Sequence, residues 1–131
     1  MQSCEVKEMA KFESFEEIKA WQKAYEITLV VYRITSVGHF SQDFGLKDQM
    51  RRASVSVMAN IAEGHGRRTN AEFANFLNLA RGSAAEVQSH LHIAKGLEYI
   101  SPGQFDSLYL LLGEVSRMTL ALSRYLRESS K

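Results

Sequence analysis

The feature that most limits the fold of this chain is its scarcity of residues that stop a helix. Pro102 is the single proline, and eight glycines are spread over 131 residues. Because proline and glycine are the residues least compatible with a helix interior, the long stretches without them can stay helical. With 45% apolar and 24% charged residues, the composition is that of a globular protein. The sequence therefore predicts an all-α fold.

The first helix is predicted over about 15–36. The run 14–17 has the pattern of a capping box, in which Ser14 and Glu17 satisfy each other's backbone amides. Apolar residues then recur at helical spacing and are predicted to face inward. These residues are Ile18, Trp21, Tyr25, Thr28 or Leu29, and Tyr32. The pattern breaks over 38–45, which is predicted to be a loop.

The second helix is predicted over about 46–63, and it is apolar on two sides. One face is expected to join the core and contains Leu46, Met50, Ala53, Val57 and Ile61. The opposite face contains Val55, Met58, Ala59 and Ala62. In so small a domain, the second apolar face predicts contact with another subunit. The run Gly64-His65-Gly66 is expected to end this helix in the left-handed conformation.

The last two helices are predicted over about 70–99 and from 102 onward. Thr69 and Glu72 form a second capping box, and Ser101 caps a helix that starts with Pro102. The inward residues of the third helix are expected to be Phe73, Phe76, Leu77, Ala80, Ala84, Val87, Leu91 and Ala94. Those of the fourth are Leu108, Leu112, Val115, Thr119, Leu122 and Leu126. Gly82 inside the third helix indicates close packing or a bend.

Short connections between long helices favour antiparallel neighbours. The chain is therefore predicted to form an antiparallel up-down four-helix bundle over 14–128, after a flexible N-terminal segment over 1–13. No apolar run is long enough to span a membrane, and the N-terminus does not resemble a signal peptide. The expected compartment is the cytoplasm.

The residues that usually carry catalysis do not form a recognisable site. A di-iron bundle needs Glu-x-x-His motifs, which are missing here, and Glu86 with His90 indicates a surface hydrogen-bonded pair. Cys4 is the single cysteine and has no activating neighbour in the sequence. The turn over 64–69 lacks the spacing of a nucleotide-hydrolysing phosphate loop. We expect no enzymatic activity, no metal and no cofactor.

Positive charge is concentrated in one segment, although the net charge of the chain is only +1. Residues 47–68 contain Lys47, Arg51, Arg52, Arg67 and Arg68 against two acidic residues, while 1–17 are acidic. Arginine's planar fork suits phosphate, so these five residues are the candidate nucleic-acid contacts. Arg67 and Arg68, in a turn, are the better candidates. Arg52 is alternatively expected in a polar network with Ser56 and Glu63, and Arg51 in a salt bridge between subunits.

Several stretches together resemble one known family. They are 21–25, 45–57, 60–67 and 72–83. Their core pattern, GL-x-x-Q-x-RRA followed by NIAEG-x-GR, resembles the four-helix-bundle proteins encoded in 23S rRNA intervening sequences, over about 12–128. The chain departs from the family at Glu98, where a glycine often precedes the aromatic residue.

The resemblance extends to the accessory variability determinant of diversity-generating retroelements. That relative forms a homopentameric barrel of four-helix bundles, binds nucleic acid through a basic surface and associates with a reverse transcriptase. The resemblance thus implies a homopentamer that binds nucleic acid, with RNA the expected target. Arg51, Arg52, Arg67 and Arg68 fall in the shared motif. The alternative is a protein-interaction scaffold that binds a reverse transcriptase or a ribosome-associated partner.

Overall fold

The computed structural model describes residues 12–129. Within this range the chain has four α-helices and no strand, which confirms the predicted all-α class. The helices are α1 (Lys19–Ile34), α2 (Phe44–His65), α3 (Asn70–Gly96) and α4 (Pro102–Ser129). Short 3-10 helices, Phe15–Glu17 and Gly38–Gln42, precede α1 and α2. Cys4 and most of the predicted flexible segment over 1–13 lie outside the described residues. No helix in the described range is long and apolar enough to cross a membrane.

Contacts between helices join them into a bundle around one apolar core. Hydroxyl groups make two of these contacts, and amide and charged side chains make two more. The pairs are Thr28 Oγ1 with Ser54 O (3.2 Å), Ser56 Oγ with Ser83 Oγ (2.9 Å), Asn75 Oδ1 with Arg127 Nη2 (2.7 Å), and Lys23 Nζ with Glu114 Oε1 (3.1 Å). Every helix therefore contacts two others, as expected of a helical bundle.

The inward faces of α2, α3 and α4 follow the sequence prediction closely. All six residues predicted to face inward on α4 are buried, and so are all but Phe76 on α3. On α2, Met50, Ala53, Val57 and Ile61 are buried, and Leu46 packs at the edge of the core. Aliphatic residues at helical spacing are thus reliable guides to burial in these helices.

The predicted inward face of α1 is wrong at its tyrosines, although Ile18 and Thr28 are buried as predicted and Trp21 packs against the core. Tyr25 and Tyr32 are 44% and 42% exposed, and the buried face is built from smaller and β-branched residues. Its members are Ala20, Ala24, Ile27, Thr28, Val31 and Ile34. Alanines let the helix approach its neighbours closely, whereas the tyrosines keep their hydroxyl groups in water.

The start of α1 also differs from the prediction. Ser14 makes no side-chain cap, and the α-helix begins only at Lys19, after the 3-10 helix. The other two caps form as predicted. Thr69 Oγ1 accepts from Glu72 N at 3.1 Å, and Ser101 Oγ accepts from Gln104 N at 3.1 Å. The second is a complete capping box, because Gln104 Oε1 accepts from Ser101 N at 2.8 Å.

The glycines near the end of α2 have a packing role. The expected left-handed stop is wrong, because α2 continues to His65 and Gly66 has a right-handed φ of −79°. A Cβ on Gly64 would lie 2.7 Å from Phe76 Cβ and 2.9 Å from Phe73 Cδ1, so α3 packs directly on the Gly64 backbone. Gly82, where close packing or a bend was predicted, has no atom of a neighbouring element within 4 Å of the position that a Cβ would take.

Asp43 joins the start of α2 to the end of α3, a link that the sequence did not predict. Its Oδ1 accepts from Leu46 N at 3.1 Å and caps α2, while its Oδ2 accepts from Tyr99 OH at 3.0 Å. The Tyr99 ring also stacks on Phe40, with centroids 5.0 Å apart. The hydrogen bond to Asp43, partial burial and the carboxylate charge together raise the pKa of Tyr99 above its usual value. The bond thus fixes the loop before α2.

Glu98 occupies a backbone conformation that favours glycine. Helix α3 ends at Gly96, three residues earlier than predicted, and Glu98 follows with φ +61°. The left-handed region costs a non-glycine residue about 1–2 kcal/mol. This accounts for the glycine that the resembling family often has at this position.

Glu98→Gly is therefore expected to stabilise the fold. Glycine relieves the left-handed strain, but it also gives the unfolded chain more entropy. The net effect is to raise the free energy of unfolding by about 0.5–1 kcal/mol. Thermal unfolding followed by circular dichroism measures it as a rise in Tm. The matched control is Glu26→Gly on the exposed side of α1, where glycine costs about 1 kcal/mol. A fall in Tm for both variants contradicts the assignment of strain to Glu98.

Candidate nucleic-acid interface

At the N-terminal end of α2, Lys47 and Arg51 hold neighbouring backbone in place. Lys47 Nζ donates to Ser41 O at 3.2 Å and lies 5.0 Å from the centre of the Phe44 ring. Lys47 thereby ties the 3-10 helix Gly38–Gln42 to α2. The Lys47 ammonium group is thus already partly engaged within the chain.

Arg51 caps the end of α1. Its Nε donates to Thr35 Oγ1 at 2.9 Å, and its Nη2 donates to Tyr32 O at 3.3 Å and to Ser36 Oγ at 2.9 Å. The guanidinium carbon lies 4.4 Å from the centre of the Tyr32 ring. A cation beside the last carbonyls of a helix is favourable to the helix dipole. Arg51 thus holds the end of α1 within its own chain, and the salt bridge between subunits stays a prediction.

Arg52 faces outward on the next position of α2. Its side chain is 79% exposed and its Nε lies 2.8 Å from Asp48 Oδ2, one turn earlier. The partner is therefore Asp48, whereas a network with Ser56 and Glu63 was expected. An exposed pair of this kind contributes about 0–1 kcal/mol, so Arg52 remains available to a ligand.

Arg51 and Arg52 border one open groove between α1 and α2. The residues that line it are Tyr32, Asp48, Arg51, Arg52, Val55 and Ser56, around a volume of about 560 Å³. Val55, predicted to contact another subunit, thus shares a surface with Arg51 and Arg52, predicted to contact nucleic acid. One surface cannot serve both partners at the same time, so the two predictions compete at this place.

At the other end of α2, Arg67 and Arg68 project from the turn into α3. Arg67 Nη2 lies 3.0 Å from Glu63 Oε1, and its guanidinium carbon lies 4.6 Å from the centre of the Phe76 ring. Arg68 is exposed and forms no ion pair with any residue of the range 12–129. Among the described residues, the turn thus presents one arginine with a carboxylate partner and one without.

The structure separates the five candidate residues into two groups. Arg51 lies fourteen positions before His65, the last residue of α2, which at the helical rise corresponds to about 21 Å, and Arg67 and Arg68 follow in the turn. The basic segment of the sequence therefore does not form one patch on a single chain. Lys47, Arg51 and Arg52 lie at one end of α2, and Arg67 and Arg68 lie at the other.

The second apolar face of α2 lies on the surface of the single chain. Val55 is 40% exposed, Ala59 is exposed, and Met58 and Ala62 are half-buried. On α1, the exposed Tyr25, Leu29 and Tyr32 add further apolar area. Exposed apolar side chains in this number are typical of a surface that meets a partner.

His90 and His92 are engaged in ordinary contacts. His90 Nε2 lies 3.4 Å from Glu86 Oε2, the surface pair that the sequence predicted. His92 packs edge-on against Phe105, with centroids 5.0 Å apart. Across residues 12–129, no three histidine, cysteine or acidic side chains come together as ligands for a metal ion.

Four further arginines were not singled out by the sequence, because they are scattered over α3 and α4. They are Arg81, Arg117, Arg124 and Arg127. The segment 69–131 has as many acidic as basic residues, so its net charge gave no signal. The helical spacing of the arginines on α4 could have identified them, had the acidic residues been considered separately.

The chain is similar to known proteins in sequence and in fold. The sequence profile of the 23S rRNA-intervening sequence protein family matches residues 16–121. A solved structure from Bacteroides thetaiotaomicron, a protein of unknown function from the S23 ribosomal protein family, superposes with a TM-score of 0.74 at 24% identity. The match covers 80% of this chain and 95% of that one. No curated protein is detectably similar to the chain.

Proposed function

The chain belongs to the 23S rRNA-intervening sequence protein family, and we propose that it is a non-enzymatic, homo-oligomeric protein that binds structured RNA. Phosphate contacts by arginine would supply the affinity, with little reading of base sequence. The proposed compartment is the cytoplasm, in keeping with the ribosomal RNA in the family's name. The proposal needs no cofactor.

The observation that carries this proposal is the pair of exposed arginines at the turn between α2 and α3. Arg67 is oriented by Phe76 and Glu63, whereas Arg68 has no carboxylate partner in the described range. Arginine placed beside an aromatic ring is a combination that suits the phosphates and bases of nucleic acid. Exposed surface pairs such as Arg67–Glu63 are weak, so a phosphate can replace the glutamate.

We infer that the helices run antiparallel in up-and-down order. Asn75 contacts Arg127 and Gln88 contacts Tyr109, so residue numbers rise along α3 as they fall along α4. This order puts the turn with Arg67 and Arg68 at one end of the bundle. In a homopentameric barrel, the assembly that the family resemblance implies, the turn would recur five times around one rim. Repetition would amplify a modest local charge into a basic surface.

Arg67→Ala with Arg68→Ala is expected to weaken RNA binding about tenfold at roughly 0.1 M salt, and to make the salt dependence shallower. The fold should be unaffected, because neither side chain is buried. Fluorescence anisotropy of a labelled RNA hairpin measures the affinity.

Arg33→Ala serves as the control for lost charge, since Arg33 is exposed on α1 and forms no ion pair with the described residues. An equal loss of affinity in both variants would refute a specific role for the turn.

The second candidate function is a protein-interaction scaffold. The observation that favours it is the exposed apolar surface of Tyr25, Leu29 and Tyr32 beside Val55. A reverse transcriptase or ribosome-associated protein, as the resemblance implies, would be the partner. Its capture by this chain should survive nuclease treatment and high salt, which remove associations bridged by nucleic acid.

A further inference from the structure

Four arginines of α3 and α4 lie within a short length of these two neighbouring helices. Two contacts set the register of the helices: Asn75 Oδ1 accepts from Arg127 Nη2 at 2.7 Å, and Tyr109 O accepts from Gln88 Nε2 at 3.3 Å. Between these contacts, Arg81 falls opposite about residue 119 of α4, between Arg117 and Arg124. We call the set Arg81, Arg117, Arg124 and Arg127 the arginine stripe. Along α4 it extends over about 15 Å.

The positive charge of the stripe is not neutralised by the described chain. No carboxylate of residues 12–129 lies within ion-pairing distance of any of its four guanidinium groups. Glu128 follows Arg124 by one turn without pairing to it, and Glu114 pairs with Lys23 instead. Like charges at this spacing repel each other, so the stripe is suited to a polyanion.

The contacts that the stripe does make are with neutral groups. Arg127 donates to Asn75, and Arg81 Nη1 donates to Asn78 Oδ1 at a long 3.4 Å. Arg81 Nε is buried and has no hydrogen-bond partner in the described range. Buried polar atoms are normally satisfied, so the hydrogen-bonding capacity of Arg81 is incompletely used.

Neighbouring residues at the start of α3 contact both the stripe and the turn between α2 and α3. Arg67 lies over Phe76, and the preceding residue Asn75 binds Arg127. A strand that contacts Arg67 and Arg68 can therefore continue past Arg127 toward Arg117. Several arginines in a row can each contact one phosphate of such a strand, whereas a single acidic side chain offers one carboxylate.

We propose that the arginine stripe binds the phosphodiester backbone of the RNA, as a second contact surface outside the basic segment 47–68. This inference rests on the RNA-binding function proposed above and extends the path of the strand across α3 and α4. The planar guanidinium groups would donate to phosphate oxygens, and sequence would not be read, because the stripe offers charge in place of base-edge contacts.

The test uses a double variant that carries both Arg117→Gln and Arg124→Gln. Its affinity for a labelled RNA hairpin is measured by fluorescence anisotropy and compared with that of the unmodified protein. Both side chains are exposed, so the variant should fold, as circular dichroism can verify. We expect the Kd to rise about tenfold at roughly 0.1 M salt and the salt slope to become shallower by about 2. The double change to lysine should retain most of the affinity, and Arg33→Gln should stay within about twofold of the unmodified protein.

The outcomes separate this inference from the proposed function. If the glutamine variant binds like the unmodified protein while Arg67→Ala with Arg68→Ala weakens binding, the stripe is refuted and the proposed function stands. If the unmodified protein binds no RNA, both fail. Binding of polyglutamate but not RNA, lost in the glutamine variant, would overturn the phosphodiester assignment and identify an acidic protein partner.

Discussion

Gly64→Ala is expected to lower the free energy of unfolding by about 2–3 kcal/mol and the Tm by roughly 10 °C. The new methyl group would lie 2.7 Å from Phe76 Cβ, an atom fixed to the α3 backbone, and 3.3 Å from the Phe73 carbonyl oxygen. Rotation of a side chain cannot relieve either contact, so α2 and α3 must move apart. This loss exceeds the gain of about 1 kcal/mol that alanine normally brings to a helix. Thermal and denaturant unfolding measure the difference.

Gly82→Ala is the matched control for this prediction. It makes the same substitution inside a helix, but nothing lies within 4 Å of the added methyl group. Helix propensity alone should then raise stability by about 0.5–1 kcal/mol. Stabilisation by both substitutions would show that α2 and α3 are not in direct contact at Gly64.

Val55→Glu with Ala59→Glu is expected to reduce the proposed homo-oligomer to single chains. Both side chains lie on the exposed face of α2, so the helical content of the chain should not change. In a subunit interface, each glutamate would bury an unpaired charge at a cost of several kcal/mol, enough to dissociate most assemblies. Light scattering coupled to size exclusion measures the mass.

Leu110→Glu supplies the control for an added surface charge. Leu110 is an exposed apolar residue of α4, outside the face assigned to the interface. This variant should keep the mass of the unmodified protein. An unchanged mass in the Val55 and Ala59 variant would contradict the interface, and it would also free the groove of Arg51 and Arg52 for RNA.

The core residues of α3 and α4 could be predicted because most of them are aliphatic and have no polar side-chain group that favours contact with water. The inward face of α1 could not, because Trp21 and the tyrosines are apolar in the sequence pattern yet carry polar groups. Tyr25 and Tyr32 are exposed instead, and the Tyr25 ring stacks on the half-buried Trp21 with centroids 5.5 Å apart. The residues that α1 buries, Ala20 and Ala24 among them, carry a weaker hydrophobic signal.

The two glycines illustrate what spacing along a chain cannot provide. Gly64 was expected to end a helix, but it packs against α3 instead. Gly82 was expected to mark close packing or a bend, but it has no atom of a neighbouring element within 4 Å of the position of a Cβ. A glycine's role depends on the distance to a neighbouring helix, which the sequence of its own helix does not contain. The cap at Ser101 was predictable because all of its partners lie within four residues.

The candidate site was predictable only in part, for a similar reason. The sequence located five basic residues, but the length of α2 places them in two separate groups, and Arg51 is bound to the end of α1. The arginine stripe was hidden because its acidic counterparts, such as Glu86 and Glu114, face other partners. The net charge of a segment adds together residues that lie on different faces of the folded helices, so it can hide a cluster of one sign.

The salt dependence of RNA binding by the unmodified protein tests the central claim most directly. A labelled RNA hairpin is titrated with protein at salt concentrations from about 50 to 200 mM, and the logarithm of the association constant is plotted against that of salt. Each phosphate contact contributes about −0.7 to −0.9 to the slope of this plot. The arginines of the turn and of the stripe therefore predict a slope steeper than about −3. Absence of binding at the lowest salt, or a slope near zero, would contradict an RNA-binding function based on arginine.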